Sequence, residues 1–462
     1  MNMKGINQTV KLGLEILTPT QAGSGEELFK ELDYIDRAGE AFVVDQVQSF
    51  NALASGNLAL DTLLASGSRL SDLVNAAGQD FGYRLPWLSA KQKIPDKFRE
   101  QVKDAFNRPY LPGTALKGAI RTALIAEWLR SMKPEHYSHL LPIKKGSKNW
   151  AASRLMQALI GKDAKKDIFR PFKTRDTLFT SSDICLADIR WLNENRWRSM
   201  TKKKSFPDWK IADGIFAEVI KPGSLTQTTL QWDGFLLSDS CWQQQGTIAN
   251  MLPKDFAALR EQLNKHAKYR LGREIDFYQS QGKQQPKAEC QRILTQLEND
   301  QDAAYLQLSW GSGWRGMTGD WASEEQVKSF RELFGLGRHG KPFPKTRRLV
   351  VSGEPKLPLG WVRLLPFEKI ADRLEKQQAQ QQITASQSQW VSQKIAQIAH
   401  SNHCSEKEAL RGKALAHAWQ ELPEGEEKQL ALDDIKNRWQ LEDWWEQPNG
   451  KAARQAKSIY QQ

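Results

Sequence analysis

Several features are scarce in this 462-residue sequence, and each scarcity excludes a class of protein. No two cysteines form a Cys-x-x-Cys pair, which excludes a disulfide-stapled scaffold and a cysteine-rich zinc fold. The four are Cys185, Cys241, Cys290 and Cys404. No run approaches the roughly 18 apolar residues of a membrane helix, and the N-terminal segment lacks the apolar core and cleavage site of a signal peptide. We therefore expect a protein of the reducing cytoplasm without a membrane partner.

What the sequence does contain is positive charge, and one segment carries the excess. The chain has 66 Lys and Arg against 54 Asp and Glu, a net charge of +12. Residues 101–210 have a net charge of +13, whereas residues 1–100 have −3 and residues 211–462 have +2. Such a surplus predicts a polyanion-binding surface, with a solvated basic face as the alternative. Aromatic residues that could stack on bases favour nucleic acid as the polyanion. They are Tyr110, Phe169, Phe172, Trp191 and Trp197.

The most informative local pattern is the turn Pro112-Gly113-Thr114 followed by the letters ALKGAIRTALIAEWLR. It predicts a helix that begins at an N-cap, Thr114, and buries one apolar stripe. The stripe consists of Leu116, Ile120, Ala123, Leu124 and Trp128. Lys117 and Arg121 are four residues apart and therefore share a face. Free backbone N–H groups, the helix dipole and two cations together predict a phosphate site. The alternative is a capped helix with two solvated cations.

The remaining patterns predict an α+β fold, with helices on one face of a sheet. Alternating apolar residues predict strands at 10–17, 184–191, 215–221, 304–310 and, as a closing pair, around 347–367. A hairpin is expected between 33–35 and 41–45, helical structure at 46–76, and two helices within 253–300. Glycine loops are expected at 21–25 and 311–319, and the second is not a Walker A loop because it lacks the Gly-Lys-Ser/Thr ending. A nest of backbone N–H groups that grips a phosphate or a base is its expected use.

The composition changes after Phe367 to Gln, Ala and Lys. We predict two domains, residues 1–369 and residues 370–462. The second is interpreted as a Gln-rich linker followed by a small helical appendage, with Trp439, Trp444 and Trp445 as bulky anchors. This appendage is either a partner-docking module or a helical nucleic-acid binder, and the sequence leaves both open.

No catalytic signature stands out. His400, His403 and Cys404 are a weak metal motif without a second pair of ligands, and the carboxylates Asp33, Asp36, Asp183 and Asp188 are scattered. We therefore predict no metal, no cofactor and no catalytic residues. Metal-independent RNA cleavage would need an acid/base pair and a cation, and no residues are marked out for these roles.

A combination of motifs is similar to the RAMP superfamily of CRISPR-associated RNA-binding proteins. It consists of an early strand ending in Gly23-Ser24-Gly25, the core motif at 110–124, the segment Glu218–Ser224, and the late glycine-rich loop. The specific part is the Pro-Gly-Thr turn followed by Leu-Lys-Gly and an Arg one turn later. Within the superfamily the layout most resembles the subunit that caps the crRNA 3′ end in type III-A (Csm) effector complexes. The resemblance covers residues 8–367.

This resemblance implies a modified ferredoxin-like, RRM-like domain with insertions, which binds guide RNA beside other RAMP subunits of a type III effector complex in antiviral defence. It implies crRNA, target RNA and those subunits as partners, and a non-catalytic role at the crRNA 3′ end, linked to its maturation. The residues expected to contact RNA are Gly23, Ser24, Gly25, Gly113, Thr114, Lys117, Arg121, Arg170, Lys173, Arg175, Gly311, Ser312, Gly313, Arg315 and Thr318. The alternatives are a metal-independent endoribonuclease that processes CRISPR RNA, and another RAMP subunit of a type III-B or III-D complex.

Overall fold

The computed structural model describes most of the chain. The described residues are 7–37, 39–55, 69–77, 81–88, 92–142, 152–199, 201–238, 251–308, 310–337, 343–351, 356–440, 445 and 447–461. They divide into two compact units. The first unit comprises Met1–Glu27, Trp87–Ala90 and Phe98–Ile370, and the second unit comprises Leu28–Pro86, Lys91–Lys97 and Ala371–Gln462.

The described part of the chain forms runs of consecutive strands and runs of consecutive helices, which makes this an α+β fold as predicted. The strands are β1 (Asn7–Ile16), β2 (Gly23–Phe29), β3 (Tyr34–Arg37), β4 (Glu40–Val44), β5 (Gly82–Leu85), β6 (Lys97–Gln101), β7 (Tyr110–Leu111), β8 (Phe172–Thr174), β9 (Thr177–Leu178), β10 (Ile184–Asn193), β11 (Arg196–Arg198), β12 (Ser205–Phe206), β13 (Ile215–Ile220), β14 (Leu225–Asp233), β15 (Ala304–Gln307), β16 (Thr346–Val350), β17 (Leu357–Pro358) and β18 (Trp361–Pro366). The α-helices are α1 (Gln46–Ser55), α2 (Leu70–Ala77), α3 (Gly113–Ser131), α4 (Ser153–Ile160), α5 (Gly234–Ser238), α6 (Phe256–Ser280), α7 (Gln284–Asn299), α8 (Gly313–Thr318), α9 (Glu324–Phe334), α10 (Ala371–Ser401), α11 (Glu406–Arg411), α12 (Lys413–Gln420), α13 (Glu426–Gln440) and α14 (Lys451–Tyr460).

The central sheet of the first unit has the strand order β15-β18-β1-β14-β8, with all neighbours antiparallel. Alternation in β1 buries Leu12, Leu14 and Ile16, as the period of a strand requires. On the opposite face Glu15 pairs with Arg363 of β18 at 2.6 Å. Helix α3 contacts α6, β8 and β15. The edge strand β8 and the helix α3 are therefore neighbours, and this places the basic segment at one edge of the sheet.

A second sheet has the order β12-β11-β10-β13-β6-β2, and β16 also pairs with β10. Its apolar core contains small and β-branched side chains from β10, β13 and β16. They include Cys185, Ala187, Ile189, Val219 and Val350. The buried Cys185 thiol therefore fills core space, as an unpaired cysteine often does.

The second unit contains a small sheet and a group of helices. Strands β3, β4 and β5 pair in that order, and Phe42 and Val44 pack in one apolar cluster with Leu70 and Val74 of α2. Helices α10 to α14 surround another core, in which Trp439 is fully buried and packs against Trp445 and Tyr460. The C-terminal residues thus form a helical bundle with an aromatic core.

Most of the predicted elements are confirmed. The strands at 7–16, 184–193, 215–220 and 304–307, the hairpin of β3 with β4, and the two helices α6 and α7 all occur close to their expected positions. The predicted helix at 46–76 is observed as α1 and α2, and residues 56–68 between them lie outside the described part of the chain.

Three local interpretations need correction. Gly23-Ser24-Gly25 opens strand β2 and is not a loop. The late glycine segment contains the short helix α8, because glycines at both ends supply the positive φ angles of its turns while residues 314–318 tolerate helical geometry. The Gln-rich segment lies within the 31-residue helix α10 and is not an irregular linker, since Gln, Ala and Lys are good helix formers.

Candidate nucleic-acid interface

Helix α3 begins where two segments that are distant in sequence meet. Its N-cap is Pro112 and the helix starts at Gly113, so Thr114 is not the N-cap; it is an exposed residue of the first turn. The Gly113 N–H donates to Asp176 Oδ1 at 2.7 Å, and the Gly113 carbonyl accepts from Thr174 Oγ1 at 2.6 Å. A Cβ atom on Gly113 would lie 2.6 Å from the Thr174 carbonyl oxygen. Glycine is therefore required here by the close approach of two backbones.

This arrangement corrects one expectation about the phosphate site. The amide of Gly113, which the sequence suggested would be free, already binds the Asp176 carboxylate. A carboxylate at a helix N-terminus is itself stabilised by the helix dipole. The Gly113 amide is therefore not available to a phosphate. Attraction of a phosphate to this end of α3 depends mainly on the side-chain cations around it.

The cations predicted on α3 lie beside a third from strand β8. Burial is the largest cause that lowers the pKa of Lys117; the carboxylate of Asp167 opposes it, and the positive charges of Arg121 and Lys173 add smaller lowering effects. We call Lys117, Arg121 and Lys173 the basic cluster. A bound anion would relieve the mutual repulsion of these cations, so the cluster suits a phosphate.

Arg121 is oriented by packing. Its Nη1 lies 3.3 Å from Asp167 Oδ2, and its guanidinium lies 5.7 Å from the centre of the Phe169 ring. Phe169 in turn stacks on Trp128 of the same helix. The Arg121 side chain nevertheless remains 38% exposed, so it can reach a ligand without leaving the aromatic ring.

The other predicted cations of this segment flank the basic cluster. The Lys173 side chain is 52% exposed, with Asp233 at 3.6 Å. The exposed Arg175 donates its backbone N–H to Thr229 O at 3.3 Å, and its backbone lies against Gly113. The exposed Arg170 donates to Lys165 O at 3.3 Å and directly follows Phe169. Pairing of β8 with β14 holds this stretch at the edge of the central sheet.

The early glycine segment lies on a different element. Gly23, Ser24 and Gly25 are exposed or nearly so on β2 of the second sheet. Ser24 Oγ accepts from the Glu26 N–H at 3.1 Å, and Gly25 has a φ of +101°. The structure therefore places these residues on the second sheet and not among the side chains of the basic cluster; their contact with RNA stays a prediction.

The late glycine segment has mainly an internal role. Gly311 and Gly313 have φ angles of +89° and +74°, Ser312 is buried, and Thr318 Oγ1 donates to Trp314 O at 3.1 Å. Arg315 is 6% exposed; it pairs with Asp320 and lies 2.9 Å from Glu324. These ion pairs occupy its guanidinium, and contact of Arg315 with RNA stays a prediction. The sequence could not show this, because the pairing depends on Asp320 folding back over the helix.

The aromatic residues proposed for base stacking are mostly core residues. Phe169, Phe172 and Trp197 are at most 3% exposed, and Tyr110 and Trp191 are half-buried. Among the described residues of this segment, Phe106 has an exposed aromatic side chain, at 78%. Sequence analysis missed it, although a Phe within the polar turn letters DAFNR is the signal that could have indicated it.

The carboxylates considered as general bases have structural partners. Asp188 pairs with Arg190 at 2.5 Å, and Asp183 accepts from the Thr180 N–H and hydroxyl. Asp33 accepts from the Phe29 N–H, and Asp36 pairs with Lys30. Among the described residues, no group of three or more His, Cys, Asp or Glu side chains is arranged to hold a metal ion. In the same part of the chain, no helix is long and apolar enough to cross a bilayer.

Comparison with known proteins places this geometry in a family. The sequence profile of the RAMP superfamily matches residues 14–255, more than half of the chain, and the chain belongs to this superfamily. It is similar to the CRISPR system Cms protein Csm5 of Methanocaldococcus jannaschii, with 24% identity over 79% of this chain and 90% of that protein. It is also 30% identical to the Csm5 of Streptococcus thermophilus over 27% of this chain and 40% of that protein.

Solved structures show the same fold. One chain of a Csm-crRNA-target RNA ternary complex of a type III-A CRISPR-Cas system is 20% identical, with a TM-score of 0.54 over 77% of this chain and all of that chain. The crystal structure of T. onnurineus Csm5 is 19% identical, with a TM-score of 0.53 over 76% of this chain and 99% of that one. The predicted RAMP-type α+β fold with a helical C-terminal region is thereby confirmed.

Proposed function

We propose that this chain is a crRNA-binding structural subunit of a type III-A CRISPR effector complex in antiviral defence, and that it caps the crRNA 3′ end. Its similarity to Csm5 proteins along most of its length supports membership of such a complex. The proposed partners are crRNA, target RNA and the other RAMP subunits of the complex.

The basic cluster is the observation that carries this proposal. Lys117 and Arg121 share one face of the first half of α3, and Lys173 lies on strand β8, which contacts this helix. The Arg121 and Lys173 side chains remain 38% and 52% exposed. Contacts of this kind recognise the RNA backbone and not the base sequence. A subunit that carries guides of variable sequence needs sequence-tolerant binding, which explains why side-chain cations suit the task better than base-specific hydrogen bonds.

Salt dependence of RNA binding tests the proposal directly. Each phosphate neutralised on a single strand contributes about 0.7 to the slope of log K against log salt. We expect Lys117→Ala with Arg121→Ala to weaken binding of single-stranded RNA and to lower the magnitude of this slope by about 1.4. The matched control is Lys451→Ala with Arg454→Ala, which removes one exposed Lys and one exposed Arg from another helix, α14. An unchanged slope in the folded α3 variant would remove this helix from the RNA site.

The capping role needs a separate measurement. The full effector complex can be purified with either the wild-type chain or the Lys117→Ala, Arg121→Ala variant, and the crRNA 3′ ends can be mapped by sequencing. A capping subunit predicts that the variant changes the 3′ ends while the 5′ ends stay fixed. If the 5′ ends change instead, the subunit lies elsewhere on the guide. The same conclusion follows if neither end changes although the variant binds RNA weakly.

A further inference from the structure

The most exposed large apolar side chain among the described residues is Phe106, with 78% of its surface accessible. It lies in the turn between Lys103 and Pro109, which form an antiparallel bridge. Removing an exposed apolar ring from water is favourable, so a ligand that covers this ring would gain binding free energy. Single exposed apolar residues are common, however, so exposure alone assigns no role.

The turn is built to hold this ring in place. Asp104 accepts hydrogen bonds from the backbone N–H groups of Phe106 and Arg108, each at 2.9 Å, and from Arg108 Nε at 2.8 Å. Asn107 between them adopts a φ of +58°, in the left-handed region. The Arg108 guanidinium lies 5.2 Å from the centre of the Phe106 ring. The turn therefore presents an aromatic ring and a planar cation as one ordered pair, with the Asp104 charge neutralised beneath them.

This pair lies next to the basic cluster along the chain. Strand β7 leads from the turn into α3 and pairs with β9, which follows Lys173 and Arg175. Arg108 and Pro112 are four residues apart, so their Cα atoms are separated by at most about 14 Å. Lys117, the first residue of the basic cluster along the chain, follows Pro112 by five helical residues, so the turn lies at most about 23 Å from it. A few nucleotides of single-stranded RNA can span this distance.

We propose that Phe106 and Arg108 form a stacking platform for one unpaired base of the RNA strand whose phosphates lie on the basic cluster. The inference rests on the proposed function and adds a residue that supplies non-electrostatic affinity. Every base has a π-face, so an aromatic ring and a guanidinium plane can hold it without reading its identity. This matches the sequence tolerance that a carrier of variable guides requires.

The test uses the full chain and single-stranded RNA of mixed sequence with 2-aminopurine placed at one position at a time. We expect Phe106→Ala to weaken binding by about 5- to 160-fold, the range for loss of one base–aromatic stack. The salt slope should stay unchanged, because Phe106 carries no charge. One 2-aminopurine position should change fluorescence on binding to wild type and not to Phe106→Ala. Phe106→Tyr should retain both effects, whereas Phe106→Leu, which keeps the bulk without the ring, should lose them.

A matched control is Phe29→Ala. Phe29 is another exposed phenylalanine, at 41%, and has Lys97 Nζ 5.7 Å from its ring centre. It belongs to the second unit, and we expect its removal to leave RNA affinity within a factor of two or so of wild type, as is usual for surface substitutions.

Several outcomes would overturn the inference. If Phe106→Ala binds RNA as wild type does, the platform is wrong while the proposed function stands. If Phe106→Ala binds RNA normally but fails to assemble with other subunits, the ring serves a protein contact instead. If the wild-type chain itself binds no RNA, with no effect of Lys117→Ala and Arg121→Ala, the proposed function fails and the platform fails with it.

Discussion

Two regions of this chain use cations and aromatic rings in opposite ways. Residues 101–210 have a net charge of +13, whereas residues 371–462 have 12 basic and 13 acidic side chains and a net charge of −1. In the C-terminal helices, Lys428 lies over Trp419, and Lys436 and Lys457 lie over Trp445, at 5.0 to 5.7 Å. These lysines cover an aromatic core.

In residues 101–210, two buried aromatic rings support a cation that faces solvent. The rings of Phe169 and Trp128 are buried and support the half-exposed Arg121 from below. A cation–π contact therefore says little about ligand binding by itself. A local surplus of charge, with the cations left half-exposed, is what marks the ligand surface. By this criterion the C-terminal residues lack the surplus of charge that marks residues 101–210, and both of their predicted roles stay open.

The largest expected effect is on the stability of the C-terminal bundle, with no effect on RNA binding. Trp439 is fully buried in the C-terminal bundle and donates its indole N–H to Leu410 O. We expect Trp439→Ala to lower the free energy of unfolding of this bundle by about 3 to 5 kcal/mol. Chemical denaturation followed by circular dichroism measures the loss. The salt slope of RNA binding should stay at its wild-type value, and a lower slope would mean that the bundle also contributes phosphate contacts.

The next prediction concerns the start of α3. A Cβ atom on Gly113 would meet the backbone of Thr174 and Arg175 at 2.6 to 3.0 Å. We expect Gly113→Ala to cost about 1 to 3 kcal/mol of stability, as overpacking does, and to weaken RNA binding by displacing β8 and Lys173. Thermal unfolding and RNA titration check the two effects. Full RNA affinity in a destabilised variant would show that Lys173 does not contribute.

A smaller effect is expected from pH. Burial lowers the pKa of His266 below its usual 6.5. Burial alone would raise the pKa of Glu127, but its ion pair with Arg130 and the nearby His266 outweigh burial and bring that pKa below 4.5. Below about pH 6.5 the unfolded chain takes up a proton at His266 more readily than the folded chain does. The free energy of unfolding therefore decreases as the pH is lowered. The contribution of Glu127 is lost further down, as the pH falls below 4.5.

Denaturation at pH 7 and pH 5 measures the histidine contribution. We expect His266→Gln to reduce the difference in stability between these two pH values, because it removes the group that titrates there. The same difference in wild type and variant would assign the acid sensitivity to other groups.

The smallest predicted effect lies on the same helix as Gly113. A Cβ atom on Gly118 would contact nothing within 4 Å. Gly118→Ala should therefore raise stability by up to about 1 kcal/mol, since Ala is the better helix former. It should leave RNA affinity near the wild-type value. A loss of affinity would mean that RNA approaches the backbone at Gly118 closely enough to exclude a methyl group.

Periodicity and charge by themselves determined a substantial part of this protein. The stripe of Leu116, Ile120 and Trp128 is buried as expected, because each residue's position on a helix face follows from local spacing. The apolar runs at 184–191 and 215–221 likewise predicted strands, which are observed as β10 and β13. The surplus of cations in residues 101–210 is a sum over the sequence and needs no structure.

Only the tertiary structure decided which polar and aromatic groups remain available. Asp176 reaches the Gly113 amide from 63 residues away, and Asp320 and Glu324 occupy Arg315. Phe172 is buried against Trp232, whereas Phe106 is exposed by a turn that Asp104 holds. Local spacing tells which face of an element a residue lies on. It does not tell what other segment covers that face, because burial and ion pairing depend on contacts between residues far apart in the chain.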